Sequence, residues 1–261
     1  MGSEAFYLPD GDGFVATELT RGPWDPSAQH AGPPSALLGR ALERCEPRED
    51  AMLARVTMEI LRPVKITRLL TGARVVRPGR NVALLEATLS DDDGPVMLAR
   101  AWRVRTTEID VTAGVEGPPP PKPPAQGAEK FFVGWESVGY HTAMEWRFSS
   151  GAFLEPGPAT VWMRMRQPLV AGEEVTPLAR VLSAVDSGNG VSAVLDFRRF
   201  IFINTDLTVH LHRYPAGEWV RMDARTIAQP HGVGMAESAL HDEEGALGRS
   251  LQTLLLAPRR A

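Results

Sequence analysis

The sequence contains a single cysteine, Cys45, and this scarcity excludes an internal disulfide. A chain without disulfides suits a reducing compartment, in which thiols stay unpaired. Cys45 falls in a helical pattern with no partner base nearby in sequence, which favours a packing role over a nucleophilic one. We therefore expect neither a disulfide scaffold nor a thiol enzyme.

Long apolar runs and clusters of basic residues are also missing. No run approaches the roughly 20 apolar residues that a membrane-spanning helix needs, and the first residues lack a basic segment followed by an apolar one. The formal net charge is -4, and the basic residues are scattered among acids rather than gathered into the patch that phosphate backbones require. We expect a cytoplasmic globular protein that binds neither membranes nor nucleic acid.

What the sequence does contain is a second copy of part of itself. A shift of 151 positions, the spacing between Thr57 and Thr208, aligns identical residues without a gap. Two copies are too few for a solenoid, which buries its faces by stacking many short repeats. The repeat therefore predicts a duplicated domain. The identical pairs are Thr57 and Thr208, Arg62 and Arg213, Ala73 and Ala224, Arg74 and Arg225, Val82 and Val233, Glu86 and Glu237, Leu89 and Leu240, Asp91 and Asp242, and Gly94 and Gly245.

A proline-rich run at residues 117–124 separates the two copies. Such a run supplies few backbone donors and favours an extended, semi-rigid conformation. It could also be a ligand for an aromatic groove, but its place between two copies of one unit favours a spacer. We predict an N-terminal domain at residues 1–112, a linker at 113–127 and a C-terminal domain at 128–261.

Each half shows the pattern of one helix and an antiparallel sheet. Prolines suited to a first helical turn open an apolar segment at residues 33–42, and the second helix is predicted at 177–185. The remaining apolar or alternating runs, bounded by turn residues, predict strands. This is an α+β fold class. The predicted strands are residues 52–61, 69–76, 82–89 and 96–104 in the first half, and 142–148, 160–167, 200–213, 219–227, 233–241 and 248–256 in the second.

Five stretches of the sequence carry a further signal: residues 24–26, 30–38, 186–190, 202–213 and 217–219. Together they resemble the acyl-CoA thioesterase II family, and the resemblance covers nearly the whole chain outside the linker. The resemblance implies a double hot-dog, in which two tandem hot-dog domains each wrap an antiparallel sheet around one long helix. A single chain would then be the equivalent of a hot-dog dimer, and further association into a homo-oligomer is compatible with it.

The same resemblance implies a site that hydrolyses acyl-CoA by an activated water. The family uses an Asp, a Thr and a Gln, which fall on Asp186, Asn204 and Gln252 of this chain. Asn204 departs from the family's Thr, although an amide can also donate to and accept from a water. No cofactor or metal is implied.

The residues themselves leave other readings open. Asp186 precedes a Ser-Gly-Asn-Gly exit from a helix, where an acid is common in a solvated loop. The first-half counterparts of Gln252 and Asp186 are Ala101 and a position near Glu43, so we expect one site per chain, built mainly from the second half. A helix N-terminus could place His30 near a thioester, but the family's glycine pair and glutamine are missing there.

Four other side chains have weaker readings. His210 and His212 project from one strand face, as a metal pair could, but no further ligand cluster supports them. Arg62 and Arg213 could meet coenzyme A phosphates, although pairing with acids is the safer interpretation. We predict an acyl-CoA thioesterase that releases a fatty acid and coenzyme A. The alternatives are a non-catalytic acyl-thioester or lipid binding protein on the same scaffold and a purely structural dimer.

Overall fold

The computed structural model describes residues 5–110, 119–127 and 138–259 of the chain. Thirteen strands form one sheet, and every named strand pair is antiparallel, which confirms the predicted α+β class. None of the helices in these ranges is long and apolar enough to cross a membrane. Of the predicted linker, residues 113–118 lie outside the described ranges, and residues 119–127 form neither helix nor strand.

Both halves place two strands before a long helix and four strands after it, and the second half adds two short helices and one further strand. The first half contains β1 (Tyr7–Asp10), β2 (Gly13–Ala16), a single 3-10 turn (Glu18–Thr20), α1 (Gly32–Arg44), β3 (Ala51–Ile60), β4 (Arg68–Arg77), β5 (Val82–Asp91) and β6 (Gly94–Arg105). The second contains α2 (Tyr140–Ala143), β7 (Met144–Ser150), β8 (Ala159–Met165), α3 (Pro177–Val185), α4 (Gly188–Val191), β9 (Phe200–Asn204), β10 (Asp206–Leu211), β11 (Val220–Ala228), β12 (Val233–Asp242) and β13 (Gly245–Pro258).

The order of equivalent strands in the second half of the sheet is the reverse of that in the first half. The full order runs β1-β2-β4-β5-β6-β3-β10-β13-β12-β11-β8-β7, so the first and second halves meet where β3 pairs with β10. Thr57 lies directly opposite Thr208 in that pair, and the Thr208 hydroxyl donates to the Thr57 hydroxyl at 3.3 Å. The two residues are equivalent under the 151-position shift, so an approximate two-fold axis passes between them.

Two helices cross on the inner face of this sheet. Pro33 and Pro34 occupy the first turn of α1, where a missing N–H costs nothing. In α3, Pro177 takes the first position, and the Thr176 hydroxyl caps the helix by accepting the Ala179 N–H at 3.1 Å. Gly39 of α1 packs so closely on Leu182 of α3 that a side chain there would clash. Apolar side chains of both helices and of the sheet form one continuous core.

The predicted helices are confirmed, but two strand predictions need correction. Thr142, predicted to begin a strand, lies in α2, and β7 begins at Met144. The predicted strand at 200–213 is divided at Thr205, whose N–H donates to Thr253 while its carbonyl accepts the Ile60 N–H. At that residue the chain passes from pairing with β13 alone to a position between β13 and β3. The β1–β2 hairpin, with strands of four residues each, was not predicted.

An ion pair at one turn is repeated in both halves. Arg62 binds Asp91 with two hydrogen bonds, and Arg213 binds Asp242 in the same way. All four residues are matched by the 151-position shift. The predicted pairing of Arg62 and Arg213 with acids is thus confirmed.

Candidate active site

Helix α3 ends at Val185, and Asp186, the residue that follows it, is only 4% exposed. The helix stops there because a glycine-containing turn, Ser187 to Gly190, follows at once and forms the short helix α4. A Cβ at Gly188 would lie 3.1 Å from both the Gln252 amide oxygen and the Ser238 hydroxyl, so a glycine lets this turn approach the sheet closely. The turn holds the Asp186 carboxyl group at the edge of a cavity.

Gln252 of β13 holds this turn through side-chain hydrogen bonds. Its Nε2 donates to the Asp186 backbone carbonyl at 3.1 Å and to Asp186 Oδ1 at 3.4 Å, and its Oε1 accepts the Asn189 N–H at 3.1 Å. The residue is 2% exposed and is not part of the cavity wall. Both ends of its amide are therefore engaged in holding the turn.

Asn204, the last residue of β9, brings a second amide to Asp186. Its Nδ2 donates to Asp186 Oδ1 at 2.8 Å and to the Asp206 carbonyl at 3.2 Å. Its side-chain oxygen accepts no hydrogen bond from the described residues, and the residue lines the cavity. The structure thus brings together Asp186, Asn204 and Gln252, the three residues that the resemblance selected.

A fourth side chain completes the cluster and comes from the first half. His30, which lies two residues before α1, places its Nδ1 at 3.1 Å from Asp186 Oδ2 and at 3.1 Å from the Gly32 backbone nitrogen. Its ring stacks on Tyr140 with centroids 3.8 Å apart and planes inclined by 10°. Burial lowers the pKa of His30, and the Asp186 charge opposes this effect. The cluster therefore takes three side chains from the second half and one from the first.

The cluster opens into a cavity of about 370 Å³. This volume lies within the roughly 300–1,000 Å³ that small-molecule sites occupy. Part of its lining is aromatic: the Trp24 ring packs on Phe197 and Phe202 at centroid distances of 4.8 and 4.9 Å. Asp186 and Asn204 are among its polar lining residues. Other apolar lining residues are Ile60, Leu61, Val64, Trp146 and Phe153.

A serine nucleophile and a metal site both lack support in the described ranges. The Ser192 hydroxyl is buried and bonded to the Gly188 carbonyl at 2.8 Å and to the Thr226 hydroxyl at 2.8 Å, and it does not line the cavity. The same ranges contain no group of three or more His, Cys, Asp or Glu residues placed to hold a metal ion. His210 is exposed on β10.

Both halves of the chain match domain models of one protein family. Residues 20–104 match the profile of the acyl-CoA thioesterase N-terminal domain, and residues 115–256 match that of the acyl-CoA thioesterase C-terminal domain. A comparison with curated proteins finds no match.

Solved structures with the same fold are distant in sequence. A thioesterase II candidate from Thermobifida fusca YX has a TM-score of 0.75 at 17% identity, covering 96% of this chain and 95% of its own. A thioesterase candidate from Novosphingobium aromaticivorans DSM 12444 has a TM-score of 0.74 at 17% identity, covering 96% and 98%. A hot-dog protein of unknown function from Alicyclobacillus acidocaldarius has a TM-score of 0.72 at 16% identity, covering 98% and 96%. The fold is therefore of the hot-dog type.

Proposed function

Because the chain belongs to the acyl-CoA thioesterase family and is a thioester hydrolase, we propose that it hydrolyses fatty acyl-CoA to a free fatty acid and coenzyme A at the Asp186 cluster. The observation that carries this proposal is a buried carboxylate in the lining of a mostly apolar cavity. A burial site for a hydrocarbon chain and a charge that activates water are the two requirements of the reaction.

Two sets of lining residues would carry these two tasks. The Trp24, Phe197 and Phe202 rings offer an apolar surface on which an acyl chain loses contact with water, at about 25 cal/mol per Å² buried. The thioester carbonyl would then lie toward Asp186 and Asn204. A water between that carbonyl and the cluster would attack the carbonyl carbon, and the C–S bond would break to release the thiol.

The polar residues have distinct tasks in this proposal. Asp186 supplies the negative charge that activates the water, and the free side-chain oxygen of Asn204 accepts one of the water's protons in a hydrogen bond. Gln252 acts on the water through Asp186, because its amide is bonded to the turn at residues 186–189. The Asn in place of the family's Thr preserves an acceptor at this position.

We also propose the tandem double hot-dog as the working unit. Its support is the continuous pairing of β3 with β10 and the opposition of Thr57 to Thr208 on the approximate two-fold axis. His30 comes from one half and Asp186 from the other, so neither half carries the whole cluster.

The test is free-thiol release from a panel of short, medium and long acyl-CoAs. We expect steady release by the unmodified protein and loss of release in Asp186→Asn, with circular dichroism unchanged. Asp92→Asn provides a matched control, because the same change is made at an exposed turn residue. Saturable acyl-CoA binding without thiol release would instead identify a binding protein, and full activity in Asp186→Asn would remove that residue from the reaction.

A further inference from the structure

His30 brings to the cavity a nitrogen atom that has no task in the proposed reaction. Its other ring nitrogen, Nδ1, accepts a hydrogen bond from the Gly32 backbone N–H at 3.1 Å. Nε2 has no hydrogen-bond partner among the described residues, and His30 lines the cavity. Resting on the proposed function, we propose that His30 Nε2–H donates a hydrogen bond to the thioester carbonyl oxygen and to the oxyanion that forms there.

The bond from Gly32 decides where the ring carries its proton. A neutral imidazole has one N–H and one lone pair, and the nitrogen that accepts a hydrogen bond is the one without the proton. Because Nδ1 accepts from Gly32, the proton of the neutral ring is on Nε2. Asp186 Oδ2 also lies 3.1 Å from Nδ1, but these two atoms are not hydrogen-bonded. The carboxylate is therefore a charge beside the ring and not the acceptor of its proton.

The surroundings of His30 favour a neutral ring. Burial lowers the pKa of His30, and the Asp186 charge, which raises it, is the smaller effect. The ring lies just before the N-terminus of α1, where the helix dipole opposes a positive charge. Tyr140, the other titratable group in contact with the ring, has its pKa raised by burial and stays neutral. A neutral imidazole held at a helix N-terminus can polarise a carbonyl through its remaining N–H.

The ring is fixed in place while Nε2 stays accessible. Tyr140 stacks on one face with centroids 3.8 Å apart, and the Tyr140 hydroxyl is itself held by donating to the Ser183 carbonyl at 2.6 Å. Only 12% of the His30 side chain is exposed, yet Nε2 is not among the fully buried nitrogen atoms that lack a partner, so part of the exposed surface belongs to Nε2. An acyl-CoA that enters the cavity displaces water from this donor, and burying the donor is costly unless the substrate supplies an acceptor. The thioester carbonyl is that acceptor.

The other donors expected at this place are already engaged. Asn204 Nδ2 uses both of its protons in hydrogen bonds within the protein. The Gly32 N–H is taken by His30, and the next two residues of the helix, Pro33 and Pro34, have no N–H. Residues 32–34 therefore leave no backbone donor for an oxyanion, although helix N-termini often supply one. The side chain of His30 replaces it.

The proton and electron pairs balance without any change at His30. Attack by the water moves one carbonyl electron pair onto oxygen, where the Nε2–H group meets the charge that develops. The proton lost by the water passes to Asp186. When the tetrahedral intermediate collapses, the carbonyl forms again, the C–S bond breaks with its electron pair on sulfur, and the proton moves from Asp186 to the thiolate. His30 keeps its own proton throughout.

The decisive experiment compares two substitutions at His30 in acyl-CoA hydrolysis. Leucine removes the donor, whereas glutamine keeps an N–H but cannot act as a base. We expect kcat to fall about 10²–10³-fold in His30→Leu, as when one oxyanion donor is removed, and to recover about tenfold in His30→Gln. His210→Leu is the matched control, because that histidine is exposed on β10.

The outcomes separate the assignment from the proposed function. A His30→Leu kcat within about tenfold of the unmodified protein overturns the assignment and leaves the proposed function standing. Equal losses in His30→Leu and His30→Gln also overturn it, because the ring would then be a base or a support. Inactivity of the unmodified protein on every acyl-CoA removes both.

Two measurements do not depend on turnover. In proton–nitrogen NMR of the histidines, we expect the resting His30 ring to carry its proton on Nε2, and a proton on Nδ1 overturns the proposal. A 2-oxoalkyl-CoA places a carbonyl that cannot be hydrolysed close to the position of the thioester. Its infrared carbonyl band should move to lower frequency on binding to the unmodified protein but not on binding to His30→Leu. An equal shift in both proteins would assign the polarisation to another group and overturn the proposal.

Discussion

The ends of the two central helices differ sharply although they occupy equivalent places. Gly39 of α1 meets Leu182 of α3 at the helix crossing. Glu43 and Asp186 each lie four residues further along their chains, so the approximate two-fold relation makes Glu43 the counterpart of Asp186. Beside Asp186 lies a cavity of about 370 Å³, and beside Glu43 one of about 60 Å³. Glu43 accepts from the Thr176 hydroxyl at 2.8 Å, and burial raises its pKa. The first helix end thus keeps an acid but has no room for a substrate.

The sheet behind each helix end explains the difference. Gln252 pairs with Ala236 in β12, and the equivalent pair in the first half is Ala101 with Leu85. Ala101 and Leu85 are fully buried and apolar, so this pair offers no amide to the turn after α1. Buried polar groups destabilise a core unless they are fully hydrogen-bonded. A buried amide is therefore tolerated at Gln252, where its nitrogen and its oxygen both have hydrogen-bond partners.

The largest expected effect separates the two acids. Asp186→Asn should lower kcat for acyl-CoA hydrolysis about 10²–10⁴-fold, because the charge that activates the water is removed. Glu43→Gln should leave kcat within about twofold, since its surroundings form no substrate cavity. Thiol release by the two purified variants measures both. A comparable loss in Glu43→Gln would show that the smaller cavity also takes part.

The repeated ion pairs should also differ in strength. Asp242 accepts from Arg213 and from three backbone N–H groups, whereas Asp91 accepts from Arg62 and one N–H. Removing one partner of a buried pair costs about 3 kcal/mol, so Asp242→Asn should destabilise by about that amount and Asp91→Asn by less. Urea unfolding of both variants at neutral pH tests this order, and equal losses would contradict it.

The same pair predicts a pH dependence. Burial raises the pKa of Asp242, but Arg213 and the backbone N–H groups outweigh it and hold the pKa at about 2. A carboxyl with a folded pKa below its unfolded value of about 3.9 stabilises the fold above pH 3.9, and this contribution disappears as the pH falls toward 2. The stability gap between the unmodified protein and Asp242→Asn should therefore close between pH 4 and 2, while a constant gap would assign the effect to packing.

Gln252→Ala makes the second half resemble the first at this position. The change leaves the buried Asn189 N–H without its acceptor, which costs about 1–3 kcal/mol. We expect a lower melting temperature and a kcat reduced about tenfold, because the turn that presents Asp186 loosens. Ala236→Ser, on the partner strand, would control for a general disturbance of the sheet. Unchanged kcat would show that the turn holds its shape without Gln252.

The smallest predicted effect concerns chain length. Trp24→Ala removes a ring that packs on Phe197 and Phe202 at the apolar wall, so the cavity should lengthen. We expect the preferred acyl chain to become longer, with kcat/KM for the favoured substrate changed by only a few-fold, since a methylene in an apolar pocket is worth about 1 kcal/mol. The acyl-CoA panel measures it, and an unchanged preference would place the chain elsewhere.

The sequence predicted the regular elements well because their patterns are local. The prolines and apolar spacing of α1 and α3 required no knowledge of the partner helix, and the predicted strand bounds lie within a few residues of those observed. The division at Thr205 could not be predicted, because it depends on hydrogen bonds to β3 and β13 at once. Asp186, Asn204 and Gln252 came from a family resemblance. The pairing of His30 with Asp186 had no local signal, since it arises only when the two helices cross.

The seam between β3 and β10 joins two halves encoded by one gene, and this has an evolutionary consequence. In a dimer of identical chains, every mutation appears on both sides of the axis, so a change that improves one site alters the other as well. Here Ala101 and Gln252 are separate codons. One half was free to specialise in packing while the other kept its polar cluster, and a single duplicated chain can therefore acquire a division of labour that a symmetric dimer cannot.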